Sequence, residues 1–233
     1  MFTNYLKIAW RNLLKNKGTS VINIFGLAIG IAVALMIGLW ILDELRFNTC
    51  HRNYDRLAQV WIHQTFNGKT GSGEAISLPV APAIREHFGA DFEHIALASW
   101  NFEHLLASGE QKILRKGMYC EPALPQMLTL DMLQGSYESA LREPFSILLS
   151  DSTAKALFGD EDPMYKTIRL DQKTDVQVSG VFRDLPFNAD LQNVKYYLPW
   201  AQYLASEAWV RDAQQSWGNH SFRLFAQISP SAD

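Results

Sequence analysis

An α+β fold is predicted for this chain, with one N-terminal transmembrane helix followed by a mixed α/β extracytoplasmic domain. Three observations carry that reading. Residues 21–42, VINIFGLAIGIAVALMIGLWIL, hold no charge and only one strongly polar residue, Asn23. The residues before them are basic and amphipathic, and the residues after them change period repeatedly between strand-like alternation and short helical runs.

The opening segment, residues 1–18, sets Phe2, Leu6, Ala9, Trp10 and Leu13 on one helical face and Asn4, Lys7, Arg11 and Lys15 on the other. That pattern is an interfacial amphipathic helix lying against membrane lipid. The span itself is assigned to residues 19–43. Its 22 uncharged residues rise about 33 Å, against a hydrocarbon core of about 30 Å. Thirteen of them are Val, Ile, Leu or Phe, together favouring insertion by roughly 4 to 8 kcal/mol. A cleaved signal peptide is disfavoured, because Trp40, Leu42, Asp43 and Glu44 stand where a small-x-small site belongs. Lys7, Arg11, Lys15 and Lys17 precede the span without an acid, so the N-terminus is expected in the cytoplasm and residues 44–233 outside it. Gly26, Gly30, Ala34 and Gly38 recur every four residues and form a candidate seam for close approach of a second helix.

Residues 44–56 lack a helix breaker and are expected to extend the helix as a stalk. Leu57 to Thr65 reads as a strand that ends in the turn-rich FNGKTGSGE. Pro79 to Phe88 is a short helix stopped by Gly89, and Phe92 to Trp100 a strand behind it, giving one βαβ unit. Phe102–Ala107 and Lys112–Tyr119 flank Ser108-Gly109-Glu110 as a hairpin. Phe145–Leu149 is a buried strand, with Asp151 or Ser152 capping the helix Thr153–Phe158 and Gly159 closing it. Thr167–Leu170 and Val176–Arg183 form a second hairpin around residues 171–174. Tyr196–Trp200 and Phe222–Ile228 complete the strands.

Several chemistries are excluded. The net charge of −3 and the lack of a basic, aromatic-studded patch argue against nucleic acid as a partner. Gly68-Lys69-Thr70 imitates the end of a P-loop, yet His63 stands where its first glycine is required. His51, His63, His87, His94, His104 and His220 never reach metal-ligand spacing, and neither Gly71-Ser72-Gly73 nor Ser179-Gly180 is a nucleophile elbow. The acidic run Asp160-Glu161-Asp162 reads as a solvated turn. No catalytic residue, cofactor or metal is expected. Cys50 and Cys120 are able to pair in an oxidising compartment but are too few for a disulfide framework.

LQGSYESALREPFSILLSDSTAKALFGDEDPMYKTIRL (residues 133–170) and VSGVFRDLPFNADL (residues 178–191) carry a family pattern, supported by YLKIAWRNLLKNK at the start and DELRFNTCHRN after the span. On these residues the chain resembles the MacB-like periplasmic core domain of FtsX-like ABC transporter permeases, of the kind typical of Bacteroidota. The motif positions are Phe158, Gly159, Pro163, Gly180, Asp184 and Pro186. Tyr165 departs from the family's glycine, Asn48 from its aspartate and Cys50 from its aromatic residue.

The resemblance implies a non-enzymatic permease subunit in the inner membrane, dimeric with a second permease copy and driven by a separate ABC ATPase. It also implies two subdomains in the exterior domain at 57–233: a porter-like βαβ part (57–100 and 222–233) and an inserted β-rich segment (101–200). The rival reading is a membrane-anchored binding or sensor module without transport. Such permeases continue beyond the strand at 222–228, so the chain is expected to be C-terminally incomplete, its 57–100 unit lacking a covering helix while residues 101–200 form the self-sufficient core.

Overall fold

The structure, a computed structural model, describes residues 2–232; Met1 and Asp233, the outer ends of the expected 1–18 and 222–233 segments, lie outside it, as do the side chains of Phe2, Leu6 and Phe66. Residues 1–47 and 48–233 form two compact units. In the first, helix α1 (Phe2–Lys15) is followed by helix α2 (Lys17–Leu45). Asn16 between them leaves helical geometry at φ −108° and ψ 56°, while Ser20 N–H still donates to its carbonyl at 2.9 Å. No residue of α2 is buried within the chain. Its 29 residues rise about 43 Å, more than a bilayer core requires.

The expected helical stalk over 44–56 is not formed. Helix α2 stops at Leu45, where Arg46 N–H bonds back to Asp43 O and Phe47 N–H to Glu44 O, both at 3.1 Å, tightening the last turn. Asn48 then takes φ +62°, which ends the helix. The stretch to Arg56 runs in turns and one 3₁₀ turn (Tyr54–Arg56). Tertiary partners for its polar side chains, described below, override local helix propensity.

Twelve strands follow. They are β1 (Leu57–Gln59), β2 (Ile62–Phe66), β3 (Lys69–Gly73), β4 (Phe92–Ala98), β5 (Phe102–Ser108), β6 (Gln111–Cys120), β7 (Met132–Gln134), β8 (Ser146–Ser150), β9 (Thr167–Leu170), β10 (Thr174–Phe182), β11 (Tyr196–Pro199) and β12 (Arg223–Ile228). Six helices accompany them: α3 (Val80–Phe88), α4 (Leu124–Met127), α5 (Tyr137–Ala140), α6 (Asp151–Phe158), α7 (Trp200–Ser206) and α8 (Ala208–Ala213). The main sheet runs β1-β12-β4-β6-β11-β8-β10-β9-β5, with β7 beside β10. Because β5 also pairs with β6 over seven residue pairs, the last six strands close on themselves as a ring. The β1-β12-β4 flank joins that ring through one residue pair, Ala98 with Cys120.

Asp171 draws β5 and β9 together on the ring. At φ +50° its N–H donates to Leu105 O (2.8 Å), its Oδ1 accepts Leu105 N–H (2.9 Å), and its Oδ2 lies 2.5 Å from His104 Nδ1. β1 and β4 are parallel, as a βαβ unit requires, but β12 lies between them and is antiparallel to both.

Alternation builds two cores on the two faces of the sheet. Ile95, Leu97, Ile147, Leu149, Tyr196 and Leu198 face one side, while Ala96, Ala98, Leu148 and Tyr197 face the other. Burial on both faces explains the unbroken apolar run Ile147-Leu148-Leu149, while Phe145 before the strand is exposed. The expected uncovered flank is corrected here. Ile95, Leu97, Phe222 and Leu224 are buried in one cluster with Ala81 of α3, Trp200 and Tyr203 of α7, and Val210 of α8. Helices α7 and α8, which lack a long apolar period, supply this cover.

The expected strand 57–65 is broken. Val60 N–H donates to Leu224 O, and the chain then leaves the main sheet to form the separate hairpin β2–β3. Asn67 and Gly68 both have positive φ (+51° and +75°), the two-residue turn that suits a tight hairpin. The helix expected over 153–158 starts two residues earlier at Asp151, capped by Ser150, whose hydroxyl accepts Thr153 N–H. Tyr165, where the family has glycine, takes φ +61°, a conformation costing about 1 to 2 kcal/mol for a residue with a Cβ.

Candidate coupling junction

The first residues of the exterior unit are fastened to it from Asn48 onward. Asn48 N–H donates to Asn188 O at 2.9 Å, and Asn48 Oδ1 accepts Asp190 N–H at 2.8 Å. His51 is buried and its Nδ1 donates to Leu128 O at 2.5 Å. Arg52 N–H reaches Thr129 Oγ1 at 2.9 Å, and Asn53 Nδ2 reaches Met127 O at 3.2 Å. Arg56 then bonds Glu93 at 2.9 Å and Ile228 O at 3.2 Å, tying the same connector to β4 and β12.

Three of these acceptors belong to one helix end. The last carbonyls of α4 have no intrahelical donor; residues 51–53 supply donors for two of them. Thr129 N–H closes onto Gln126 O (2.9 Å) and Leu130 N–H onto Pro125 O (3.1 Å), a Schellman ending in which the left-handed position usually holds glycine. Here it holds threonine at φ +45°. A β-branched residue in that region is strained by about 1 to 2 kcal/mol or more.

Burial holds the His51 imidazole below its ordinary pKa, an effect only partly offset by its bond to Leu128 O. The unfolded chain therefore binds this proton at a higher pH than the folded one, so the contribution is intact above about pH 6.5 and shrinks as pH falls below it. Full-chain melting in detergent should drop between pH 7 and pH 5, and the drop should be smaller in His51→Gln. An identical drop in both proteins would remove His51 from the account.

The loop that receives Asn48 is held at its other end by Asp184. This carboxylate accepts Ser152 N–H (2.8 Å), the Ser152 hydroxyl (2.7 Å) and the Lys195 ammonium (2.7 Å). Burial alone would raise its pKa; Lys195 and Ser152 outweigh that and hold it below the usual carboxylate range. Asp184 thus binds the exit of β10 to the first turn of α6 and to the start of β11. Beside the connector opens a cleft of about 740 Å³, lined by Arg52, Arg56, His94, Asp131, Tyr137 and Glu138 among others.

The family-motif residues do not converge on one point. Phe158 and Gly159 (φ +62°) end α6, with the Lys166 ammonium over the Phe158 ring; Pro163 is buried in the following turn. Gly180 lies where a Cβ would meet Gln134 O and the Leu148 and Met132 side chains at 3.1 Å. Pro186 O accepts Ala189 N–H in the loop after Asp184. Of the six, Asp184 and Pro186 flank the connector's receiving loop. On α2, the space above Gly26, Gly30 and Gly38 is open, and Ala34 is exposed. Cys50 is an exposed free thiol and Cys120 a buried one. Among the described residues, no three His, Cys, Asp or Glu side chains gather as a metal site would. Sequence reasoning missed His51, Asn53, Thr129 and Asn188; the polar run NTCHRN after the span was the available signal.

Comparison with known families matches residues 20–233 to the MacB-like periplasmic core domain. Similar solved structures include a domain of a candidate permease protein from Porphyromonas gingivalis (24% identity, TM-score 0.64, covering 78% of this chain and 77% of that one). The periplasmic region of MacB from Actinobacillus actinomycetemcomitans is also similar (15% identity, TM-score 0.55, 76% and 77% covered). A third is the extracellular domain of the ABC-type transporter YknZ from Gram-positive bacteria (12% identity, TM-score 0.51, 75% and 84% covered). At these identities the likeness establishes the fold. Comparison with functionally curated proteins gives no significant match.

Proposed function

Because this chain belongs to the family of MacB-like periplasmic core domains, we propose that it serves in an ABC transporter permease subunit. Its exterior domain moves with a membrane helix that a separate ATPase drives. The observation that carries the reading is how early the exterior unit is fastened: its first residue, Asn48, stands three positions after the end of α2 at Leu45 and is already bonded into it. From Asn48 to Asn53 the connector is then bonded to two different loops of the domain. So short and so fastened a connector carries displacement rather than absorbing it. The chain is read as non-enzymatic, with one span of the inner membrane within these residues, its N-terminus cytoplasmic and residues 44–233 periplasmic. Lipid, a second permease copy and the ATPase are its partners, and the exterior domain is divided into porter-like (57–100, 222–233) and inserted (101–200) subdomains.

The flank pairs with the ring through the single residue pair Ala98–Cys120, which favours that division, while one apolar cluster runs across both parts. The 740 Å³ cleft favours the alternative, a membrane-anchored binding or sensor module. Affinity purification from its native membrane separates the two readings: the permease brings down an ABC ATPase in stoichiometric amount, whereas the sensor brings none.

Copy-to-copy contact is assigned to Gly26, Gly30, Ala34 and Gly38. Gly30→Leu should weaken helix association by about 1 kcal/mol or more, while Ile31→Leu should leave it unchanged. Equal crosslinking of the two variants in membranes would remove the seam.

A further inference from the structure

We propose that Thr129 is the positioning residue that fastens the connector to the exterior domain, its left-handed backbone being retained to hold its hydroxyl against Arg52 N–H. The inference rests on the coupling reading above only for its consequence in transport.

The left-handed position that closes α4 suits glycine, and the chain does place a glycine at positive φ where α6 ends, though with ψ −125° rather than left-handed helical geometry. At α4 it uses threonine at φ +45°, the residue class least suited to the place. What threonine supplies and glycine lacks is the Oγ1 that accepts Arg52 N–H at 2.9 Å. The turn at Thr129 also leaves Met127 O and Leu128 O at the helix end, where Asn53 Nδ2 and His51 Nδ1 take them. Three successive connector residues therefore depend on one strained residue. Strain of this kind persists where surrounding contacts over-determine it, and it gathers at parts that move or switch. Asn48, at the start of the same connector, is another of the six described non-glycine residues at positive φ (+62°).

The test compares Thr129→Ser, Thr129→Val and Thr129→Gly in the full chain in nanodiscs, by amide exchange of peptides covering residues 49–54. Serine keeps the acceptor, valine keeps the shape and loses the acceptor, and glycine loses the acceptor while relieving the strain. Exchange should rise roughly tenfold in the valine and glycine variants and stay within about twofold of wild type in the serine variant. The glycine variant should melt no lower than the valine variant. Asn53→Ala, which leaves the backbone of 129 untouched, should raise the same exchange several-fold. Unchanged exchange in Thr129→Val and Thr129→Gly, or equal loss in Thr129→Ser, overturns the proposal.

The ATPase that co-purifies with the chain supplies a separate reading. If its turnover responds to the chain equally in all variants while exchange changes as stated, the fastening stands and the coupling reading fails.

Discussion

Gly117→Ala should lower the melting temperature of the full chain by about 6 to 12 °C, the counterpart of roughly 3 kcal/mol in a domain of this size. Gly117 lies on β6 opposite Phe102, inside the closed ring, and a Cβ added there would sit 2.3 Å from the ring carbons of Tyr196. Tyr196 is fully buried on β11 and packed edge-on to His104, so it has no free direction in which to swing. Interiors packed this tightly answer an extra methyl with backbone displacement rather than local adjustment. Because the clash involves ring carbons and not the hydroxyl, Tyr196→Phe should not rescue the variant. Gly71→Ala, on the open β2–β3 hairpin where nothing lies within 4 Å, should leave the melt within about 2 °C. A Gly117→Ala protein that melts with wild type would mean that β6 and β11 are not packed as described.

Asp184→Ala is the second large effect, about 2 to 3 kcal/mol at neutral pH. It removes three hydrogen bonds at once and leaves the Lys195 ammonium, itself about a quarter exposed, without its carboxylate. Since the folded carboxyl titrates below its ordinary range, this stability is present above the unfolded value, near pH 4, and is lost as pH falls through the lowered folded value. The variant and wild type should therefore converge in acid and separate toward pH 7. In a double-mutant cycle, Asp184→Ala with Lys195→Ala should cost clearly less than the sum of the single changes. Additive costs would sever the clasp that holds the receiving loop of the junction.

Much of this architecture was legible in residues whose local chemistry and tertiary role agree. The apolar run at 21–42, the hairpin turn at Gly109 and the helix closed by Gly159 fold as their patterns direct, although that helix is capped by Ser150 rather than by Asp151 or Ser152. Tyr165 was readable as strained because glycine is the family's residue there. Misreadings fall where a distant partner decides. Residues 46–53 carry no helix breaker, yet Asn188, Asp190 and the end of α4 take their polar groups and unwind them. Asn67-Gly68 in FNGKTGSGE is itself a two-residue hairpin signal, but the KTGSG it turns into has Thr70 as its one β-branched residue and none of the large apolar residues that mark a strand. The cover over β4 and β12 was invisible because α7 and α8 are only seven and six residues long, too short for a helical period to stand out.

The claim that the exterior domain moves as one body with its connector is tested most directly by distance measurement between spin labels, with the chain and its ATPase in nanodiscs. One label sits on the exposed Cys50 and the other on a cysteine introduced by Glu110→Cys, at the turn between β5 and β6. Labelled chains are diluted with unlabelled ones, so that this distance is read within a single copy. A separate sample in the Cys50→Ser background places Glu110→Cys labels on both copies. Between the nucleotide-free state and ATP trapped with vanadate, the account predicts a Cys50-to-110 distance constant within about 2 Å, while the distance between the two copies' 110 labels changes by about 5 Å or more. A within-copy distance that changes while the between-copy distance stays fixed would contradict it.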